Sequence, residues 1–228
     1  MLSELDISAI LLTLKLAGLT TFILLLIAPP LAWWLARSQR VFRPLIEALV
    51  ALPLILPPTV LGFYLLIAFS PENPFGQFWL TLTGNQLAFS FSGLLIASII
   101  YSLPFVVQPL QSAFVNLQKE YLEVASMLGL NGPERFYRVL LPMLLPSFII
   151  AGGLGFAHTI GEFGVVLMIG GNIPGETQLI SIALFDHVES LEYGQAHLLS
   201  LLLLGFSMAL LVVIYGVLQK RQRSLQDA

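Results

Sequence analysis

The sequence predicts an all-α integral membrane protein, a polytopic bundle of about five transmembrane helices. Hydrophobic residues make up 57% of the 228 residues, charged residues make up 10%, and the mean hydropathy is +0.89. Soluble domains carry roughly 25% charged residues. They also rarely contain uninterrupted apolar runs of about 20 residues, the length that spans a bilayer. Composition and run length together therefore exclude an ordinary soluble domain.

Five apolar stretches are long enough to cross a membrane. They cover residues 8–36, 45–69, 88–114, 143–170 and 195–218. The first begins after two acidic residues and has no basic region before it, so we expect a permanent membrane helix and not a cleaved signal peptide. An odd number of spans places the two termini on opposite sides of the membrane.

The basic residues are distributed asymmetrically along the chain. All except Lys15 fall in three clusters: Arg37, Arg40 and Arg43; Lys119, Arg135 and Arg138; Lys220, Arg221 and Arg223. The intervening segments, 1–7, 70–87 and 171–194, contain acidic residues but no Lys or Arg. Because basic loops stay in the cytoplasm, this pattern predicts an external N-terminus and a cytoplasmic C-terminus. Lys15 is expected to extend its amine to the outer interface.

Two of the predicted spans contain features that affect helix geometry. Pro57 and Pro58 lack N–H donors, so the second span is expected to kink in mid-membrane, either as a packed kink or as a bend at a gate. In the fourth span, Gly153, Ala157 and Gly161 recur every four residues. Such a stripe of small residues favours close packing against another helix.

A polar segment, residues 116–142, separates the third and fourth spans. Apolar residues recur at helical spacing from Leu117 to Leu128, Gly129 and the following "NGP" supply a stop, and Pro133 suits the first turn of a second helix. We therefore expect a cytoplasmic helix-turn-helix here, with a solvated inner loop as the alternative.

The spacing of this segment resembles the "EAA" loop of binding-protein-dependent ABC importer permeases, E-A-A-x3-G-x9-I-x-L-P. The matching residues are Glu123, Ala125, Gly129, Leu141 and Pro142. Val124 and Val139 stand where the loop has Ala and Ile. The resemblance implies that the segment docks into a cleft on a separate ATPase subunit and transmits nucleotide-driven motion to the membrane.

The sequence contains no G-x-x-x-x-G-K-[ST] motif, and none of its lysines follows a Gly-rich loop. ATP hydrolysis is therefore assigned to another polypeptide, and the chain is expected to have no catalytic residues of its own. The absence of cysteine excludes a thiolate metal site and a Cys nucleophile. We expect no metal, no cofactor and no nucleic-acid partner.

Two further stretches resemble the molybdate permease family. They are "LPLILPPTVLGFYLL" at 52–66 and "GEFGVVLMIGGNIPGETQLIS" at 161–181. Sulfate and thiosulfate permeases share a similar "GNIP" stretch, so an importer of those anions is the alternative within the class. A channel or structural membrane subunit without an ATPase is the alternative from another class.

The resemblance covers nearly the whole chain and implies a single ABC transporter transmembrane domain, residues 1–228, in the bacterial inner membrane. It also implies a homodimer that forms one translocation path, with cytoplasmic ABC ATPase subunits and an external solute-binding protein as partners. The cargo implied is an oxyanion, molybdate by preference.

Four residues are candidates for the gate or path: Pro57, Pro58, Glu162 and Asn172. His158 lies one helical turn before Glu162 within the predicted fourth span, and ionisable residues inside a membrane are usually functional. A metal site would need a third ligand, which His187 and His197 do not supply from their predicted positions outside the membrane or at the outer start of the fifth span. We expect Glu162 to be protonated or hydrogen-bonded in a helix interface, with His158 as a candidate partner.

Apart from Lys15, the predicted spans hold no Lys or Arg. No strong fixed anion site is therefore expected in the path. Selection of the anion is assigned to the external binding protein, whose loaded form would favour one state of the permease.

Overall fold

The computed structural model describes residues 2–117, 127 and 129–226, with the side chains of all of these except 133, 136 and 217–226. The described residues form helices and no strand. In chain order the helices are α1 (Glu4–Arg37), α2 (Arg43–Ile55), α3 (Pro58–Phe69), α4 (Pro74–Thr83), α5 (Phe91–Val115), α6 (Gly132–Arg135), α7 (Leu141–Ile160), α8 (Gly164–Gly170), α9 (Ile180–Glu189) and α10 (Tyr193–Gln226). A π-helical turn, Phe136–Leu140, joins α6 to α7.

The first helix begins at a reciprocal cap. Ser3 Oγ accepts a hydrogen bond from the Asp6 N–H at 3.0 Å, and Asp6 Oδ2 accepts one from the Ser3 N–H at 2.9 Å, which satisfies two N–H groups that a helix start leaves unpaired. α1 then runs for 34 residues, about 50 Å at 1.5 Å per residue. It is longer than one crossing of the roughly 30 Å hydrocarbon core requires.

Four to five segments of the described chain can cross a membrane. α1, α5, α7 with the turn before it, and α10 are long and apolar enough on their own, and α2 with α3 makes a fifth if the bent pair is one span. Each of these segments overlaps one of the five predicted stretches, and the largest difference is in the fourth. The bent pair begins at Arg43 of α2 and ends at Phe69 of α3. Phe69 is buried against Leu87 and Ile169.

The second predicted span is broken, not merely kinked. α2 ends at Ile55 and α3 begins at Pro58, with 114° between the two helices. Leu56 and Pro57 each precede a proline, and their ψ angles are 137° and 136°, in the extended region that a following proline ring favours. The two consecutive prolines therefore end one helix and start the next.

The fourth predicted span, 143–170, is wrong in its C-terminal part. α7 ends at Ile160 and α8 begins at Gly164, so Glu162 lies in a break between two helices and not inside one. Hydropathy does not register this break because three of the four residues from Gly161 to Gly164 are glycine or phenylalanine.

The central helix of the bundle is α5, which packs against α1, α2, α7 and α8. Val106 and Phe114 of α5 are fully buried in one core cluster with Leu24 of α1 and Leu144 of α7. Residues on several faces of α5 are thus in contact with other helices. This position allows its polar side chains to reach the broken segments on either side.

Close packing of α7 depends on glycine. A β-carbon at Gly153 would overlap the side chain of Ile214 in α10, and one at Gly155 would lie 2.7 Å from Val106 Cγ2 in α5. The predicted small-residue stripe is therefore confirmed as a packing surface at Gly153. It does not extend to Gly161, where an added β-carbon would meet only carbonyl oxygens of α7, the nearest at 3.7 Å.

The two ends of α1 pack against different helices. Asp6, at the start of α1, lies 2.9 Å from His187 of α9. Arg37, at the end of α1, lies over the ring of Trp33, which packs edge-on against Phe114 near the end of α5. The predicted external segments 1–7 and 171–194 therefore meet at one end of the bundle. Which end faces the cytoplasm stays a prediction.

Candidate functional site

Both helix breaks border one cleft of about 530 Å³. Pro58 and Gly164, the first residues of α3 and α8, are in contact, since a β-carbon at Gly164 would lie 2.8 Å from Pro58 Cβ. The cleft is lined by Pro58, Thr59, Tyr101, Ala157, His158, Gly161, Glu162, Phe163 and Gly164. The two interrupted spans therefore meet at this cleft.

Glu162 is buried beside the cleft, with 3% of the residue exposed. Its carboxylate oxygens accept hydrogen bonds from Ser98 Oγ at 2.6 Å and from Ser102 Oγ at 2.9 Å. Its backbone carbonyl, left without a helical donor by the break, accepts a hydrogen bond from Ser181 Oγ. The hydrogen bonding expected for Glu162 is confirmed.

Hydropathy does not identify Ser98 and Ser102 as residues of the site. Hydroxyl groups in apolar helices often bond only to their own backbone, so their presence is not by itself informative. A signal is nevertheless present, because the two serines are four residues apart and share one face of α5. Two hydroxyls on one face of a membrane helix favour hydrogen bonds to a polar group on a neighbouring helix.

His158 lies beside Glu162 with its ring between two aromatic side chains. The imidazole stacks on Phe105 with 3.8 Å between ring centroids, and its centroid is 4.7 Å from that of Tyr101. Nδ1 is 2.9 Å from Ser102 Oγ and 3.6 Å from Glu162 Oε1. The predicted proximity of His158 and Glu162 is confirmed, and Ser102 contacts both. The His158 side chain keeps 17% exposure at the cleft.

Three of the four predicted path residues lie together. Pro58 and Glu162 line the cleft, and Pro57 forms the break immediately before it. Asn172 lies elsewhere, in an exposed turn after α8, where its Nδ2 donates to Asp186 Oδ2 at 2.7 Å. The structure therefore groups the two prolines with Glu162 and separates Asn172 from them.

The predicted coupling segment is described only in part, since Glu123 and Ala125 lie outside the described residues. Gly129 has a φ of +75°, a left-handed conformation that glycine adopts without strain. This agrees with the predicted helix stop. Leu141 and Pro142 form the first turn of α7.

The second half of the predicted helix-turn-helix begins at another reciprocal cap. Asn131 Oδ1 accepts from the Glu134 N–H and Glu134 Oε2 accepts from the Asn131 N–H, both at 3.0 Å. α6 then continues through the π-helical turn into α7, so the expected short second helix is the start of a long one. Continuous helix therefore connects the turn at Gly129 with His158 and the break at Gly161.

A second titratable cluster lies at the end of the bundle where α1 begins. His187 Nε2 is 2.9 Å from Asp6 Oδ1, and Nδ1 is 2.8 Å from Glu192 Oε2. The hydrogen bond to Asp6 raises the pKa of His187, burial acts against this rise, and the hydrogen bond to Glu192 adds to it. Only the protonated ring can donate from both nitrogens. The cluster ties α1, α9 and the residue before α10 together.

A family model described as "Binding-protein-dependent transport system inner membrane component" matches residues 28–224. The chain belongs to this family. The resemblance to binding-protein-dependent importer permeases is thus confirmed, together with the predicted multi-pass placement in the inner membrane.

Two relatives are similar to this chain over most of its length. The Molybdenum transport system permease protein ModB of Azotobacter vinelandii is 54% identical over 215 residues, covering 94% of this chain and 95% of that protein. The Sulfate transport system permease protein CysT of Synechococcus elongatus is 35% identical over 184 residues, covering 81% of this chain and 66% of that protein.

A solved structure shares the fold. It is the bacterial alginate ABC transporter in complex with an alginate pentasaccharide-bound periplasmic protein, matched with a TM-score of 0.64 and 16% identity over 93% of this chain and 77% of that chain. At this identity the likeness concerns the fold alone, and it agrees with the predicted all-α permease bundle.

Proposed function

We propose that this chain is the permease subunit of an ATP-driven molybdate importer. The observation that carries the proposal is the 54% identity to ModB of Azotobacter vinelandii over nearly the full length of both chains. The sulfate permease relative is 35% identical, so a sulfate or thiosulfate importer is the second candidate. Residues 1–228 act as one transmembrane domain with no ATP-binding site of their own.

The permease works as a homodimer whose two copies line one path, with two cytoplasmic ATPase subunits and an external solute-binding protein. Segment 116–142 docks on the ATPase through Glu123, Ala125, Gly129, Leu141 and Pro142. Support comes from the continuous helix that leads from this segment to the cleft. α7 contains 20 residues, about 30 Å at 1.5 Å per residue, so a displacement at its start is carried to Gly161.

The path opens and closes at the two breaks, Pro57–Pro58 and the segment around Glu162. A break lacks the ladder of backbone hydrogen bonds that stiffens a helix, so the flanking helices can change their relative angle there. Contact between Pro58 and Gly164 passes a movement at one break to the other. Asn172, with its hydrogen bond to Asp186, is a candidate residue of the outer mouth.

Reconstitution of the chain in vesicles with its ATPase subunits and binding protein tests this function. The binding protein loaded with molybdate is expected to stimulate ATP hydrolysis and uptake, whereas free molybdate does little. Tungstate should compete and sulfate should compete much more weakly. Equal competition by sulfate would favour the second candidate, and failure of any ATPase subunit to copurify would favour a channel or structural subunit.

The homodimer requires a separate measurement. The mass of the purified complex in detergent should correspond to two copies of this chain with two ATPase subunits. A complex with one copy of this chain and a second, different permease chain would refute the homodimer while leaving the import function in place.

A further inference from the structure

Among the described residues that line the cleft, His158 is the one side chain able to carry positive charge. Lys15, the only basic residue in the predicted spans, lies elsewhere, with Nζ 4.6 Å from the centroid of the Phe91 ring. Transfer of an anion out of water is costly unless donors or opposite charge replace the lost hydration. Under the proposed function, in which an oxyanion crosses this cleft, His158 is therefore the side chain of the cleft wall that can offset the charge of the anion.

The imidazole of His158 is held in one orientation. Stacking on Phe105 fixes the plane of the ring. The contacts of Nδ1 with Ser102 and Glu162 fix its rotation. Nε2, on the other side of the ring, has no hydrogen bond among the described residues. One nitrogen is thus occupied by the buried cluster, while the exposed part of the side chain faces the cleft.

We propose that His158, as an imidazolium paired with the Glu162 carboxylate, presents Nε2–H to the anion and is the anion-contacting residue of the path. Glu162 acts as a positioning residue, because its oxygens are held by Ser98 and Ser102 and its charge offsets that of the ring. The pair is neutral overall, so the contact with the anion is a hydrogen bond that forms and breaks readily. The expectation of a path without a strong fixed anion site counted only Lys and Arg and omitted this histidine.

A role confined to stabilising the break is the competing explanation. An ion pair in either role changes the local potential, so protection of a thiol in the cleft by molybdate separates the two. The chain contains no cysteine, so Thr59→Cys places a single thiol on the cleft wall. In the full permease–ATPase complex, the rates of modification by an anionic and a cationic methanethiosulfonate are measured on this chain. Thr83→Cys, on the exposed surface of α4, is the matched control.

His158→Phe removes both ring nitrogens and keeps an aromatic ring that can stack on Phe105. The ratio of anionic to cationic modification at position 59 is expected to fall about fivefold or more, as loss of a nearby charge requires. The ratio at position 83 should not change. His158→Gln, which keeps an N–H donor without the charge, should lower the ratio at position 59 similarly, and His158→Arg should restore it.

An unchanged ratio at position 59 in both variants, or modification by neither reagent, would overturn the proposal. Adding molybdate separates this result from the proposed function. Protection of position 59 by molybdate that is lost in His158→Phe supports both. A ratio that depends on His158 without protection by molybdate, tungstate or sulfate would refute the anion contact, and the reconstituted uptake assay tests the oxyanion cargo separately.

Discussion

Replacement of Ser102 by alanine removes a donor from the buried carboxylate of Glu162. Ser102 Oγ is 2.9 Å from Glu162 Oε1 and 2.9 Å from His158 Nδ1, so both contacts are lost. Hydrogen bonds to charged groups contribute about 1.5–3 kcal/mol, whereas interhelical hydrogen bonds in membrane proteins average about 0.6 kcal/mol. Because Glu162 is 3% exposed and water cannot readily replace the donor, we expect a loss of about 2 kcal/mol in the free energy of unfolding.

Unfolding in mixed micelles with increasing dodecyl sulfate, followed by tryptophan fluorescence, measures this loss. The chain has three tryptophans, and Trp33 packs against Phe114 with 5.2 Å between ring centroids, so its emission should respond to separation of α1 from α5. Ser98→Ala is the matched variant, since it removes one donor from Glu162 at 2.6 Å and leaves the His158 contact in place.

A double-mutant cycle with Glu162→Gln isolates the contribution of the charge. In that background the acceptor is neutral, so Ser102→Ala is expected to cost only about 0.5–1 kcal/mol. Equal costs in the two backgrounds would refute the charged carboxylate that the proposed anion contact at His158 requires. A cost below about 0.6 kcal/mol for both serine variants would show that these bonds are no stronger than average interhelical ones.

Three further predictions concern the ends of the bundle and the coupling segment. Reporters at residues 76 and 186 should be accessible from outside, and a cytoplasmic reporter at residue 186 would overturn the five-span topology. Gly129→Val forces a β-branched residue to a φ of +75°. This variant and Glu123→Lys should both leave the chain inserted in the membrane but uncouple transport from ATP hydrolysis. Normal transport by both variants would refute the docking hypothesis. Since the pKa of His187 is raised in the fold, its stabilisation is fully present below its unfolded value of about 6.5 and is lost as pH rises through the folded value. As pH rises above about 6.5, the thermal midpoint should therefore fall more steeply in the wild type than in His187→Gln, and parallel profiles would contradict this role.

The spans and the first break were predictable because their causes are local. Run length identifies a membrane helix without reference to its neighbours. The effect of Pro57 and Pro58 on the backbone arises within two residues. The sequence nevertheless predicted only a kink within one helix, whereas the observed 114° bend separates two helices. The size of the bend could not be predicted locally, because it also depends on what α3 packs against.

The second break and the surroundings of Glu162 were not predictable in the same way. Gly161 and Phe163 continue an apolar pattern, and the hydroxyls that stabilise the break come from Ser98, Ser102 and the residue at 181, which are distant in sequence. Asn172 was grouped with the path on the resemblance of its stretch, but its partner, Asp186, becomes evident only from the folded chain. The second break is thus held by contacts between segments far apart in the sequence.

The unequal lengths of the spans determine how the chain responds to bilayer thickness. α1, with 34 residues, exceeds the roughly 30 Å hydrocarbon core and can match thicker or thinner membranes by changing its tilt. The α2–α3 pair cannot adapt by tilting as one rod, because it is bent by 114°. A change in membrane thickness has to alter the angle of this bend. Hydrophobic mismatch is therefore concentrated at Pro57 and Pro58, the second of which lines the cleft. The transport rate should therefore vary with acyl-chain length even where the stability of the bundle does not.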